Sequence, residues 1–125
     1  MKFSYYILLV LLSVSCSKEV TKIDIASNLV GNYQGVLVDE LNDIIESNAV
    51  VTISKISNAV IRIEAKDASS QIASFEVNII KNSNTITNAV NNSSVILIIS
   101  LIDVPFKIGI DYSDTKTTFT GIKVN

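Results

Sequence analysis

The feature that most constrains the fold of this chain is a period of two in its hydrophobic residues, which persists from Asn32 to the C-terminal end. β-Branched and aromatic residues alternate there with polar ones in short segments, and Asn, Ser, Asp or Pro stand between the segments. Neighbouring side chains of a strand point to opposite faces of a sheet, so this pattern predicts strands with one buried face. The predicted strands are 32–38, 44–56, 59–65, 71–80, 85–90, 94–102, 106–113 and 117–124.

The connections between these segments are nearly all short enough for hairpins. Consecutive strands joined by tight turns form an antiparallel meander, and such a sheet removes its free edges most simply by closing on itself. We therefore expect an all-β domain, built as an eight-stranded antiparallel up-and-down barrel or half-open barrel. The alternative architecture is an immunoglobulin-like sandwich, which needs longer cross-sheet connections than this sequence provides.

Alternation also assigns faces to individual strands. In the fourth predicted strand, Phe75 and Val77 point one way and Glu76 points the other way. The inward-facing apolar residues are candidates to line a pocket for a small apolar ligand, and they are Tyr33, Leu37, Phe75, Val77, Phe106, Ile108, Tyr112 and Phe119. An eight-stranded barrel can also be filled by its own side chains, so a hollow and a filled interior both remain open.

One segment departs from the alternation. The residues from Val95 to Ile99 are apolar on both faces of the predicted strand. We expect this strand to be covered on its outer side, either by the N-terminal segment or by another chain. The stretch from Val95 to Ile102 is therefore a candidate contact site for a protein partner.

A hydrophobic leader precedes the strands. Lys2 is followed by an uncharged apolar run and then by small residues at 13–15, an arrangement typical of a secretory signal peptide. The apolar run is too short to cross a bilayer as a helix. We assign 1–15 to the signal peptide, 16–29 to a tether and 30–125 to the folded domain.

Part of the tether has a second interpretation. Ile23, Ala26 and Leu29 recur at a helical interval. A short helix with this spacing would cover one end of the barrel.

The only cysteine, Cys16, directly follows the small residues of the leader. This position resembles the lipobox of bacterial lipoproteins, in which the cysteine receives a diacylglyceryl group and becomes the mature N-terminus. Ser13 stands where that motif usually has Leu. The resemblance implies lipid attachment at Cys16 and a place in the bacterial cell envelope, on the outer membrane. Ordinary cleavage that releases a soluble protein is the alternative.

Two short motifs carry a further resemblance. GNYQG at 31–35 and FTGIK at 119–123 are similar to the opening and closing segments of small lipocalin-like (calycin-like) envelope lipoproteins of Bacteroidota. The resemblance covers nearly all of the predicted domain. It implies a barrel base at which Gly31 and Tyr33 lie near the basic Lys123, with Tyr33 in place of the Trp that lipocalins carry.

Composition narrows the possible chemistry. The chain contains no histidine, which excludes Ser-His-Asp and Cys-His catalysis and the commonest zinc and haem ligands. Its four glycines form no phosphate-binding loop. The net charge of −2 provides no attraction to nucleic acid. We expect no enzyme, no metal, no cofactor and no nucleic-acid partner.

The acids Asp39, Glu40, Asp43 and Glu46 lie close together around the first hairpin. Paired carboxylates support glycoside hydrolysis or cation binding, but a solvated loop is the simplest interpretation. The expected function is that of a non-enzymatic envelope lipoprotein that binds a small apolar ligand or an envelope partner. A protein-interaction or adhesion module of sandwich type, with a filled core, is the alternative.

Overall fold

The segments of alternating hydrophobicity form eight antiparallel strands in the computed structural model. The structure describes residues 23–66, 73–89 and 94–125. In chain order the strands are β1 (Gly31–Asp39), β2 (Ile44–Ser57), β3 (Val60–Ala65), β4 (Phe75–Asn82), β5 (Thr85–Asn88), β6 (Val95–Ser100), β7 (Lys107–Tyr112) and β8 (Thr117–Lys123). A short 3-10 helix, Ser27–Leu29, precedes them. No helix within the described residues is long and apolar enough to cross a membrane.

Each strand pairs with the next one in the chain, and β1 also pairs with β8, so that the sheet closes into a barrel. The prediction of an eight-stranded antiparallel up-and-down barrel is confirmed. The sandwich alternative is wrong, because the first and last strands join in one continuous sheet. Closure satisfies the backbone groups that would otherwise form two free edges.

The closing ladder depends on two facing glycines. Gly35 of β1 stands opposite Gly121 of β8. A Cβ atom added at Gly35 would lie 1.9 Å from the carbonyl oxygen of Thr120, far inside contact distance. Only glycine therefore lets β1 and β8 approach this closely.

Up-and-down topology gives the barrel two ends. The lower end carries residues 23–30, the β2–β3, β4–β5 and β6–β7 connections, and residues 124–125. The upper end carries the four other connections. The chain thus enters the barrel at its lower end.

Six of the eight strands, β3 to β8, are shorter than alternation predicts, and β6 and β4 illustrate the difference. β6 ends at Ser100 rather than at 102, although the amide of Leu101 still donates to the carbonyl oxygen of Asn84, the residue before β5. The loop that follows contains a cis peptide bond between Val104 and Pro105. β4 begins at Phe75, and residues 71 and 72 of the predicted strand lie outside the described residues.

The segment before β1 packs against the lower end of the barrel. The amides of Ile25 and Ala26 both donate to the carbonyl oxygen of Asn58, in the β2–β3 turn. Ala26 and Leu29 are buried, as their helical spacing predicts, whereas Ile23 is exposed. Residues 16–22 of the predicted tether, and the signal peptide before them, lie outside the described residues.

β4 changes partner halfway along its length. Phe75 to Asn78 pair with β3, and Ile79 to Asn82 pair with β5. This stagger lets β4 extend below the β2–β3 hairpin, whose Ala59 carbonyl accepts the amide of Ile79. It creates an open depression on the lower side of the barrel.

Candidate functional site

The structure brings all eight predicted pocket residues together inside the barrel. Tyr33, Leu37, Ile108, Tyr112 and Phe119 are buried members of the hydrophobic core. The other three are partly buried and pack against that core, and they are Phe75, Val77 and Phe106. The sequence alternation therefore placed these side chains on the correct face.

These side chains fill the interior. A space large enough for a ligand leaves accessible surface on the side chains that line it. Instead, Tyr33, Leu37 and Phe119 have 0% of their surface accessible. The same value holds for six aliphatic residues of three other strands, which are Val51, Ile53, Ile61, Ile63, Leu97 and Ile99. The arrangement matches an eight-stranded barrel filled by its own side chains.

Hydrogen bonds seal the lower layer of the core. The Tyr33 hydroxyl donates to the carbonyl oxygen of Leu29 at 2.8 Å. Lys123, opposite Tyr33 in the β1–β8 ladder, donates from Nζ to the carbonyl oxygen of Asn28 at 2.9 Å. The same Nζ lies 5.6 Å from the centre of the Phe106 ring. Burial raises the pKa of Tyr33 to about 12.

An aromatic pair occupies the upper layer. The rings of Phe75 and Tyr112 meet edge to face, with centroids 5.6 Å apart and an interplanar angle of 89°. The Tyr112 hydroxyl donates to the carbonyl oxygen of Ala73 at 2.9 Å. Burial also raises the pKa of Tyr112 well above its ordinary value. Among the described residues, no buried side-chain nitrogen or oxygen lacks a hydrogen-bond partner.

The acidic hairpin has a structural explanation. Asp39 is 3% exposed, and its carboxylate accepts hydrogen bonds from the amides of Leu41 and Asn42 and from the Asn42 side chain. Asx turns are stabilised in this way. Glu40 and Asp43 are exposed, and Glu46 is half-buried. The part of the chain that the structure describes contains no cluster of three or more His, Cys, Asp or Glu residues able to hold a metal ion.

The outer wall of the barrel has a mainly apolar patch on β6 to β8, in which Asp111 of β7, opposite Ile96, is the charged residue. Ile96 is 49% exposed and Ile98 is 50% exposed. Ile98 stands opposite Gly109 on β7, where an added Cβ would meet no atom within 4 Å. A hollow of about 260 Å³ lies here, flanked by Thr118 and Thr120 of β8. We call Ile96, Ile98, Gly109, Asp111, Thr118 and Thr120 the wall patch.

The wall patch coincides with part of the predicted partner site, Val95 to Ile102. Leu97 and Ile99 face the core, as alternation requires, and Ile102 belongs to the following loop. We expected the outer cover to come from the N-terminal segment or from another chain, and residues 24–29 do not provide it. They lie at the lower end, where Asp24 pairs with Lys55 of β2.

The depression beside β4 was not expected from the sequence. It has a volume of about 700 Å³ and lies between the β2–β3 turn and the middle of β4. Its lining residues are Lys55, Ile56, Ser57, Asn58, Ala59, Val60, Asn78, Ile79 and Ala89. It results from the stagger of β4, which only the pairing register reveals.

The predicted lipid attachment residue, Cys16, lies outside the described residues. Comparisons of this chain with models of protein families, with curated proteins and with solved structures returned no match.

Proposed function

We propose that the protein is a non-enzymatic lipoprotein of the bacterial cell envelope, anchored to the outer membrane at Cys16, and that it binds a protein partner through the wall patch. The observation that carries this proposal is a contrast in exposure. Interior residues such as Leu97 and Ile99 are 0% exposed, whereas Ile96 and Ile98 on the same strand are about half exposed.

A filled interior argues against carriage of a ligand inside the barrel. Ligand pockets bury most of a small molecule in a cavity of several hundred cubic ångströms. The side chains of Tyr33, Leu37 and Phe119 have no accessible surface for such a molecule. We therefore place the binding site on the outer surface of the barrel.

The wall patch has the composition of the centre of a protein interface. Its side chains are mainly aliphatic or hydroxyl-bearing. Asp111, opposite Ile96, is its one charged residue, and Lys107 stands at its margin on the outer face of β7. Interface centres are depleted in charge and rimmed by polar residues. The hollow above Gly109 offers a place for one apolar side chain of the partner.

The absence of histidine from the whole chain supports a role without catalysis. The hydrophobic leader and the position of Cys16 support export and anchoring. A lipocalin-like relationship is part of this proposal, and it is supported by the position of Tyr33 opposite Lys123 at the lower end of the barrel.

Photo-cross-linking in the native host tests the binding surface. A photoreactive residue at Ile98 is compared with the same residue at Glu64, which is also exposed but lies beside the charged Arg62. We expect one dominant protein adduct from position 98 that Ile96→Asp abolishes, and none from position 64. Equal adducts from both positions would contradict the proposal.

Native mass spectrometry of the exported protein tests the rival function. We expect the mass of the polypeptide with its anchor and no further adduct. A small apolar molecule that co-purifies reproducibly would instead favour carriage inside the barrel.

A further inference from the structure

We infer that the lower end of the barrel is a membrane-docking surface, which rests on the surface of an anionic bilayer with the β6–β7 loop in the headgroup region. This inference rests on the proposed anchor at Cys16 and adds the orientation of the domain. The wall patch would then face sideways, parallel to the membrane, where a partner can reach it.

Exposed apolar side chains gather at the lower end. Six of them occupy this end, which we call the lower rim, and they are Ile23, Val30, Ile56, Ile102, Val104 and Val124. Among the described residues, the large exposed apolar residues of the upper end are only Leu41, Ile45 and, near the start of β6, Ile96. Val104 is 92% exposed and Ile102 is 72% exposed, so the β6–β7 loop presents the most accessible pair. Apolar residues in this position insert into the boundary between headgroups and acyl chains.

The elements of the lower rim are joined to one another. Lys123 connects β8 to the N-terminal segment through Asn28 and lies against Phe106 at the end of the β6–β7 loop. The amide of Asn32 donates to the carbonyl oxygen of Asn125. The rim is therefore held on a rigid scaffold and presents its side chains together.

Charge is distributed unequally between the two ends. At the lower end, the lysines Lys55, Lys81, Lys107 and Lys123 outnumber the two acids Asp24 and Asp103. At the upper end, acids dominate over Arg62, Lys66 and Lys116 among the described residues, and these acids are Asp39, Glu40, Asp43, Glu46, Glu64, Glu76, Asp111 and Asp114. A bilayer with anionic phosphate headgroups attracts the lower end and repels the upper end.

The point of attachment agrees with this polarity. Cys16 precedes Ile23 by seven residues in the sequence, so the connecting chain reaches at most about 25 Å even when it is fully extended. Ile23 itself lies at the lower end and is 82% exposed. An anchor at Cys16 therefore keeps the lower rim, and not the upper end, within reach of the bilayer.

Single tryptophan reporters test the orientation, because the chain contains no tryptophan of its own. The lipidated protein carrying Val104→Trp is reconstituted on vesicles of phosphatidylethanolamine and phosphatidylglycerol with brominated acyl chains. The matched control is Leu41→Trp, at an exposed position of the upper end. Both sites are open to solvent, and circular dichroism verifies that both variants keep the strand signal.

We expect Val104→Trp to show blue-shifted emission and to lose most of its fluorescence to the brominated chains, and Leu41→Trp to retain a water-like spectrum. Vesicle flotation tests separately whether the lipid anchor binds the protein to the vesicles. A protein that floats with the vesicles while both reporters stay unquenched would overturn the docking surface and leave the anchor intact. A protein that does not float would overturn both, since docking rests on the anchor.

Discussion

The hydroxyl of Tyr33, in the first strand, donates a 2.8 Å hydrogen bond to the carbonyl oxygen of Leu29, in the segment that covers the lower end of the barrel. Both side chains are almost completely inaccessible to solvent. One aromatic residue thus belongs to the barrel core and also holds the covering segment in place.

Removal of this hydroxyl has a defined cost. Tyr33→Phe keeps the ring and leaves the Leu29 carbonyl without its donor, so we expect a loss of about 1 kcal/mol in the free energy of unfolding. Leu29→Ala removes buried methyl groups and leaves a cavity, so we expect a larger loss of roughly 2–5 kcal/mol. Denaturant unfolding measures both values, and a Tyr33→Phe protein as stable as the wild type would contradict the assigned role of the bond.

Gly35 lies in a crowded environment and Gly109 in an open one, so the same substitution at both positions gives a controlled comparison. Gly35→Ala places a Cβ 1.9 Å from the carbonyl oxygen of Thr120, and we expect a loss of at least about 3 kcal/mol because the backbone must shift. Gly109→Ala meets open space, and we expect a gain of about 0.5–1 kcal/mol because alanine restricts the unfolded chain. Denaturant midpoints compare the two variants. Equal effects would show that β1 and β8 are not as close as described.

The buried tyrosines predict an alkaline limit to stability. Burial raises the folded-state pKa of Tyr33 from 10.0 to about 12. A group with a raised folded pKa contributes stability that is fully present below pH 10 and is lost as the pH rises toward 12. We expect the near-ultraviolet absorbance of tyrosinate to appear above pH 10 together with loss of the strand signal in circular dichroism. Tyrosinate absorbance that rises at pH 10 with the barrel intact would contradict this burial.

The contact between Asp24 and Lys55 predicts a transition in acid. The hydrogen bond from Lys55 Nζ, at 2.6 Å, lowers the pKa of Asp24 from 3.8 to about 2, assisted by Ser27. A lowered folded pKa gives stability that is present above pH 3.8 and disappears as the pH falls through 2. Carboxyl NMR titration measures this value directly, and Lys55→Gln should return it toward 3.8. An Asp24 that titrates normally in the wild type would show that residues 24–29 are not held by this pair.

The eight strands were predictable because the information for them is local. Alternation, turn residues and short connections recur in every segment, and closure follows from the need to pair the edges. The interior positions of Tyr33 and Phe119 follow from the same period. Zero exposure of these residues is a result of packing, which the period of two does not determine.

Irregular pairing was not predictable in the same way. Gly35 pairs with Ala49 but Leu37 pairs with Glu46, so β2 contains one extra residue between these points. Beyond this bulge the faces exchange, and Ile45 is 69% exposed where strict alternation from Ala49 would turn it inward. The position of a bulge depends on the partner strand and has no local signal here.

The partner site was only partly predictable. The apolar run after Val95 indicated an unusual outer face, but the sequence did not show where the strand ends. Ser100 is the last residue of β6, and the β6–β7 loop follows it. Ile102 therefore lies at the lower rim and not on the outer wall, where the predicted strand would have placed it.

The stagger of β4 has a consequence for the order in which the barrel opens. Among the described residues, only Ile79 to Asn82 of β4 pair with β5, and only Thr85 to Thr87 of β5 pair with β6. Few backbone amides are shared across this side, whereas the long ladder between β1 and β2 spans most of the barrel height. Amide protons of β5 should therefore exchange with deuterium through local separation of strands. Those of β1 should exchange only through global unfolding. The closed barrel is therefore expected to open first at β5, which becomes a transient free edge.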